Sequence, residues 1–445
     1  MIGVDRLIEK LNSLISGGSL TELEVTQLSK VIDTLEKKGV SSVLSTSYLP
    51  NVVENKGRLF WLQTEQRYVY SNGVGWDTQN IFKIYKNLYS WGFNAQHQLG
   101  DGTKTSRISP SLVWTNYADW VFVTVGSSHT IALRANGTAW AWGYNVNGRL
   151  GISSLTRMEA SPVLVSGGFT DWISASAGHF HSLGLRANGT AWAWGYNSWG
   201  NLGDGTTSSR SSPVSVVGGF TDWVSVSGGI DSNHSCGIRA NGTAWGWGIN
   251  FNGQIGDGTT TGKSSPVSVV GGFTDWVFIK AGGNATSAIR ANGTAWGWGT
   301  NSSGELGDGT TTGRSSPVSV VGGFTDWVSI AAGYRHRIAV RANGTLWGWG
   351  NGASGVLGDN TTSNRSSPVS VVGGFTDWIF ASAGRGHSAG IRSNGTLWAW
   401  GGNGAGQLGD NTITSRSSPV SVVGGFTDWI FAGNGNTFTV GIRAV

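Results

Sequence analysis

From about residue 81 to the C-terminus, apolar and polar positions follow one pattern that keeps returning. A complete unit runs from Trp172 to Trp223. A short apolar-alternating run at 173–177 stops at Gly178, and a second run at 180–186 follows. The turn Ala187-Asn188-Gly189-Thr190 leads to a third run at 191–196. A glycine-rich loop at 197–205 precedes a fourth, 213–217, and Gly218-Gly219-Phe220-Thr221-Asp222-Trp223 closes the unit. Period-two alternation bounded by Gly and Asn-Gly signals predicts four short strands. The Asn-Gly pair predicts a tight hairpin with positive φ.

The period is fixed by the tryptophan of a Trp-Gly phrase at Trp91, Trp142, Trp194, Trp247, Trp298, Trp349 and Trp400, in steps of 51, 52, 53, 51, 51 and 51 residues. Four short strands on a period near 50 predict propeller blades, because one such unit cannot bury its own apolar face. The ends of the array complement each other. The first copy lacks the two strands that precede the Asn-Gly turn in the others, and the last copy stops just after supplying them, at 430–443. The expected fold is therefore all-β: a seven-bladed β-propeller at 81–445, closed by shared N- and C-terminal strands, with no open edge.

Residues 1–80 break the period. Val4, Leu7, Leu11 and Leu14 form one helical stripe, and Leu28, Val31, Ile32 and Leu35 a second. A short α-helical N-terminal anchor is expected at 1–42. Its stripes must pack on each other, on copies of the chain, or on a partner. Residues 43–80, with the β-prone runs 57–62 and 67–70, predict a small β-hairpin module.

Composition narrows the function. Glycine is 72 of 445 residues, tryptophan 24, and charged residues only 12%. The net charge is +5, and the longest basic run is Lys37-Lys38, so there is no clustered stripe of the kind nucleic-acid binders carry. No stretch approaches the length of a membrane span, and no signal peptide is visible. The single cysteine, Cys236, implies neither a disulfide framework nor a metal cluster.

Repeated residues read as scaffold. His129, His181, His234, His336 and His387 occupy one position of successive units, replaced by Ala285 and Phe438 in the other two. Separate copies of one pocket do not converge on one metal, so a hydrogen-bonding role is expected, and His179 with His181 is a weak metal pair. The aspartates of Thr-Asp-Trp (Asp222 and its equivalents) and of Leu-Gly-Asp (Asp204 and its equivalents) are expected to cap turns. No asymmetric pair of carboxylates and no nucleophile–base set stands out. The chain reads as not an enzyme, with no cofactor and no metal.

Function is then sought where the units differ. Trp199 and Phe251 stand in the loop after the Trp-Gly phrase. Phe180, Tyr334, Arg335 and Arg385 stand in the loop before the repeated histidine. Aromatics and arginines on rigid loops are the usual anchors of binding surfaces. These six form the candidate binding set, with no expectation that all lie on one face.

The repeats resemble those of the regulator of chromosome condensation family. Trp194-Gly195-Tyr196-Asn197, Gly200-Asn201-Leu202-Gly203, Pro213-Val214 and the Gly178-to-His181 segment carry the resemblance, which spans about 81–445. It implies a seven-bladed propeller. The family has no single function: members act on small GTPases and nucleosomes or inhibit β-lactamases. Residues 19–76, with Leu49-Pro50 and the aromatic hairpin, are similar to a module that opens marine cyanophage virion proteins. That likeness implies a virion structural protein, a tail, fibre or capsid appendage. Residues 1–80 would bind other virion proteins or form a homo-oligomer, and the propeller would meet a host surface receptor or glycan. The alternative is an intracellular regulatory protein-binding propeller of the GTPase-regulator or enzyme-inhibitor type.

Overall fold

A computed structural model describes residues 86–154 and 157–444, together with three short strands before them. The chain divides into two units, Met1–Ile84 and Tyr85–Val445. In the first, strands Leu59–Leu62, Arg67–Ser71 and Trp76–Asp77 pair antiparallel, with Leu59 opposite Tyr70 and Ser71 opposite Trp76. The helices expected within 1–42 lie outside the described residues.

In the second unit each period folds as one four-stranded antiparallel sheet, and seven such sheets are present. They are called here blades 1 to 6 (120–164, 172–215, 223–268, 276–319, 327–370, 378–421) and blade 7. In blade 2 the strands, a to d, are Trp172–Ala177, His181–Arg186, Ala191–Gly195 and Arg210–Ser215. Strand a of each blade contacts strand a of the next, so the a strands line a central channel.

Blade 7 closes the ring. Its strands run Trp429–Asn434, Phe438–Ala444, Lys86–Gly92 and Arg107–Leu112, with Phe438 opposite Gly92 and Ala444 opposite Lys86. The two chain ends thus satisfy each other's backbone groups, as the complementary fragments require.

The core lies between blades. Leu183, Leu185, Ala193 and Leu202 of blade 2 pack with Trp223, Val226 and Trp247 of blade 3. Trp247 is fully buried and its indole N–H donates to the Asn201 carbonyl of the preceding blade at 3.1 Å. The chain must pass close to that ring: Gly203 has φ +67°, and a Cβ there would stand 2.8 Å from the Trp247 nitrogen. Only glycine meets both demands.

A second link ties each blade to the next. His181 Nε2 meets Ser235 Oγ of blade 3 at 2.9 Å, and that hydroxyl donates back to the Asn201 carbonyl at 2.8 Å. His129, His234, His336 and His387 make the same bridge to Ser182, Thr286, Ser388 and Thr439. The repeated imidazoles are structural, as their repetition suggests.

Two details differ from the sequence reading. In the Asn188-Gly189 turn only the glycine has positive φ, +75°. The asparagine instead accepts from the Thr190 amide and hydroxyl, so its side chain, not its backbone, holds the turn. The Thr-Asp-Trp aspartates do not cap turns. Asp222 takes Arg239 at 2.8 Å, and that guanidinium also lies 3.9 Å from the Phe220 ring. The Leu-Gly-Asp aspartates do cap turns: Asp204 accepts from the Thr206 amide and hydroxyl.

Candidate functional site

The antiparallel order puts the a–b and c–d loops of every blade at one end. Tyr196 in the c–d loop donates its amide to Phe180 in the a–b loop at 2.9 Å. All six candidate residues therefore lie on one face. This corrects the expectation that they need not share one; alternation of antiparallel strands was enough to place them.

The loops are firmly held. Asn197 accepts from the Leu202 amide at 2.9 Å and donates to Asp204, to Thr206 and to the Ser208 carbonyl. Burial raises the Asp204 pKa, but hydrogen bonds from Thr206, Arg210 and Asn197 outweigh it and leave the carboxyl below its ordinary range. Side chains on such loops lose little freedom on binding.

On this frame Trp199 and Phe251 meet edge to face, with centroids 5.2 Å apart, although they belong to blades 2 and 3. They are 42% and 61% exposed, so the pair stands at the surface and outside the core. Phe180 is half-buried. It stacks on His179 at 3.5 Å, and the Arg149 guanidinium lies 4.6 Å from its ring.

A second group gathers over the channel. Asp231 lies in the two-residue insertion of blade 3, with φ +54°. Its carboxylate takes Arg385 Nε of blade 6 at 2.6 Å, accepts from Ser127 of blade 1 at 3.2 Å, and lies 3.4 Å from His179 Nε2 of blade 2. Four blades meet at one carboxylate. Burial brings His179 down to about 4 although Asp231 favours its cation, so it is neutral at pH 7. His181 is turned to a different partner, Ser235, so the two histidines do not form a pair. Arg385 also lies 5.5 Å from the Tyr334 ring. Arg335 points elsewhere, to Ser302 at 2.8 Å and Glu305 at 3.3 Å.

Sequence reading missed Asp231, Glu305, Arg337 and Lys280. Arg337 and Lys280 are each the charged member of a position that is neutral in the other blades, Glu305 shares its position with Arg149 of blade 1, and Asp231 stands in an insertion; subtracting the repeat at strand and loop-base positions would have found the first three. Blade 4 has Ala285 where the histidine belongs. Arg337 of blade 5, standing in place of the bridging hydroxyl, reaches back into that space and bonds Ser287 at 2.8 Å and the Ala285 carbonyl at 3.1 Å. Burial lowers the Arg337 pKa to about 10, and Glu305 opposes the shift. Glu305 itself replaces the glutamine of Gln98, Gln254 and Gln407 and is fully buried. Glu305→Gln removes the buried carboxylate that favours the Arg337 cation and pairs with Arg335, and should cost about 1–3 kcal/mol. Adding Ala285→His and Arg337→Ser restores the ordinary bridge and should recover most of that loss. Urea denaturation of the single and triple variants measures both.

The sequence model of the regulator of chromosome condensation (RCC1) repeat matches residues 87–133, 136–185, 188–238, 292–340, 343–391 and 394–442. The chain belongs to the RCC1 repeat family. Among RCC1-repeat relatives, the ultraviolet-B receptor UVR8 of Arabidopsis thaliana is 28% identical over 308 residues, 68% of this chain and 69% of the relative. The mitochondrial RCC1 domain-containing protein RUG3 of the same plant is 28% identical over 369 residues, 75% of this chain and 82% of the relative. Prp20p of Saccharomyces cerevisiae, described with binding properties to Gsp1p and histones, superposes with a TM-score of 0.72 at 21% identity, covering 81% of this chain and 92% of that one. The last likeness is one of fold.

Proposed function

We propose that this RCC1-repeat chain is a regulatory protein-binding propeller, and that the face carrying the a–b and c–d loops meets the partner. The observation that carries this reading is the convergence of all six repeat-breaking residues on that face, with the Trp199–Phe251 pair exposed at its surface. Rigid aromatic side chains with few rotors, next to arginines held by carboxylates, suit a protein surface. Membership of the RCC1 family supports protein binding in general. The virion reading draws no support from these relatives, which are cellular proteins, and it rests on residues 1–80, most of which lie outside the described residues. The regulatory alternative is favoured over it. The face is read as a binding rather than a catalytic surface, since each repeated imidazole is committed to a neighbouring blade's hydroxyl.

The test compares two variants, Trp199→Ala with Phe251→Ala, and Tyr334→Ala with Arg385→Ala, against Val328→Ser on the opposite face. Quantitative affinity capture from the source cell should show partners lost by at least tenfold in one of the first two and kept in the third. Equal capture by all three folded variants would remove this face from the reading.

A further inference from the structure

Among the described residues lining the central channel, one carries a charge, Lys280. At the fifth position of strand a the blades carry Thr124, Ser176, Ser227, Lys280, Ala331, Ser382 and Gly433. The hydroxyls have a structural task. Each accepts the backbone N–H of the next blade: Thr124 from Ala177, Ser176 from Gly228, Ser227 from Ala281 and Ser382 from Asn434, at 3.0–3.2 Å. Lys280 has no such task. Among the described residues it makes no hydrogen bond or ion pair, and its amine lies 5.6 Å from the Phe278 ring.

Lys280 lines a cavity of about 360 Å³, within the range of small-molecule sites. The cavity has a direction. At the loop end Ile230 is buried and lines it, and Asp231 beside it is tied to three other blades. At the opposite end the walls are aromatic: Phe278, with Phe122, Phe380 and Phe431 packed together at 4.9 and 5.2 Å. Beyond them the second position of strand a carries an exposed valine or isoleucine in every blade, Val121 to Ile430. A chain-like apolar group entering there meets a greasy mouth, then phenyl rings, then Lys280 in a wall that also carries Asn434 and small hydroxyls.

We propose that the channel binds a small amphiphilic carboxylate, its head at Lys280 and its apolar tail along Phe278, Phe122, Phe380 and Phe431 toward the open mouth. The anion supplies the counter-charge that none of the described residues supplies, and the tail covers ring surface that water otherwise wets. Burial holds the Lys280 pKa below the usual lysine range, and a bound carboxylate draws it back up.

The test uses the full chain at pH 7.5 with sodium octanoate, octanamide and sodium acetate, read by titration calorimetry and thermal shift. Octanoate should bind saturably below about 1 mM, and octanamide and acetate at least tenfold more weakly. Lys280→Met should lower octanoate affinity about tenfold and leave octanamide unchanged. No octanoate binding, or equal binding of octanoate and octanamide, overturns the proposal. So does equal octanoate binding by the parent and a folded Lys280→Met. The octanoate–octanamide comparison is made on the parent and holds even if the variant fails to fold.

Discussion

Between pH 7 and pH 5 the propeller should lose most of its stability. Burial holds His181, His234, His336 and His387 at about 3 and His129 well below its ordinary value. The ordinary value is 6.5. The sign follows from where the protons go. Below pH 6.5 the unfolded chain takes up a proton at each imidazole while the folded chain refuses it, so stability falls with falling pH until the folded values are reached. Each histidine then costs about 1.4 kcal/mol per pH unit. The four at about 3, together with His179 at about 4, amount to about 10 kcal/mol one and a half units below 6.5, and His129 adds to it in the same direction; this is comparable to the whole stability of an ordinary domain. Stability followed by urea unfolding from pH 7.5 to 5 should fall with a slope that steepens from under about one proton at pH 7.5 to about five or six near pH 5. His387→Gln should remove one. A midpoint that stays put over this range would mean that the imidazoles are protonated in the folded ring. The turn aspartates act in a lower window. Asp204 and Asp410 lie below 3.8 in the folded chain, so their contribution is present above that value and lost as pH falls through the folded values.

Removing residues 430–445 should be equally severe. The truncation takes most of strand a and all of strand b from blade 7. It deletes the buried side chains Phe438, Val440 and Ile442 and bares the Lys86–Gly92 edge that paired with them. At about 1.5–3 kcal/mol per large apolar side chain, the direct loss is about 5–9 kcal/mol. The opened edge then invites pairing between chains. The truncated chain should be recovered in aggregates, and a gentler Phe438→Ala should stay soluble but lose about 3–5 kcal/mol. A soluble, cooperatively unfolding truncation would show that the ring does not depend on its shared blade.

Much of this was legible in the sequence because the structure is periodic. The Trp-Gly phrase, the Asn-Gly turns and the glycines before the buried tryptophans each meet a local steric demand. Repeating the demand six or seven times makes the signal unmistakable. The split blade was legible for the same reason: a missing half at one end and a spare half at the other leave few other solutions. The position of the six candidate residues on one face was implied by strand alternation. What escaped was charge placed against the repeat. Arg337 and Ala285 exchange roles across a blade boundary, and neither residue announces the other along the chain.

By itself, the sequence determined the blade number, the strand order and the closure, since all of these follow from short-range periodicity and from the pairing of complementary ends. The tertiary structure alone decided which loops touch. Closing the ring sets Asp231 of blade 3 against Arg385 of blade 6, and makes Lys280 the one charge among the described residues that line the central cavity. Contacts across a central axis join residues by angle around the ring rather than by distance along the chain, and no local pattern of residues records that angle.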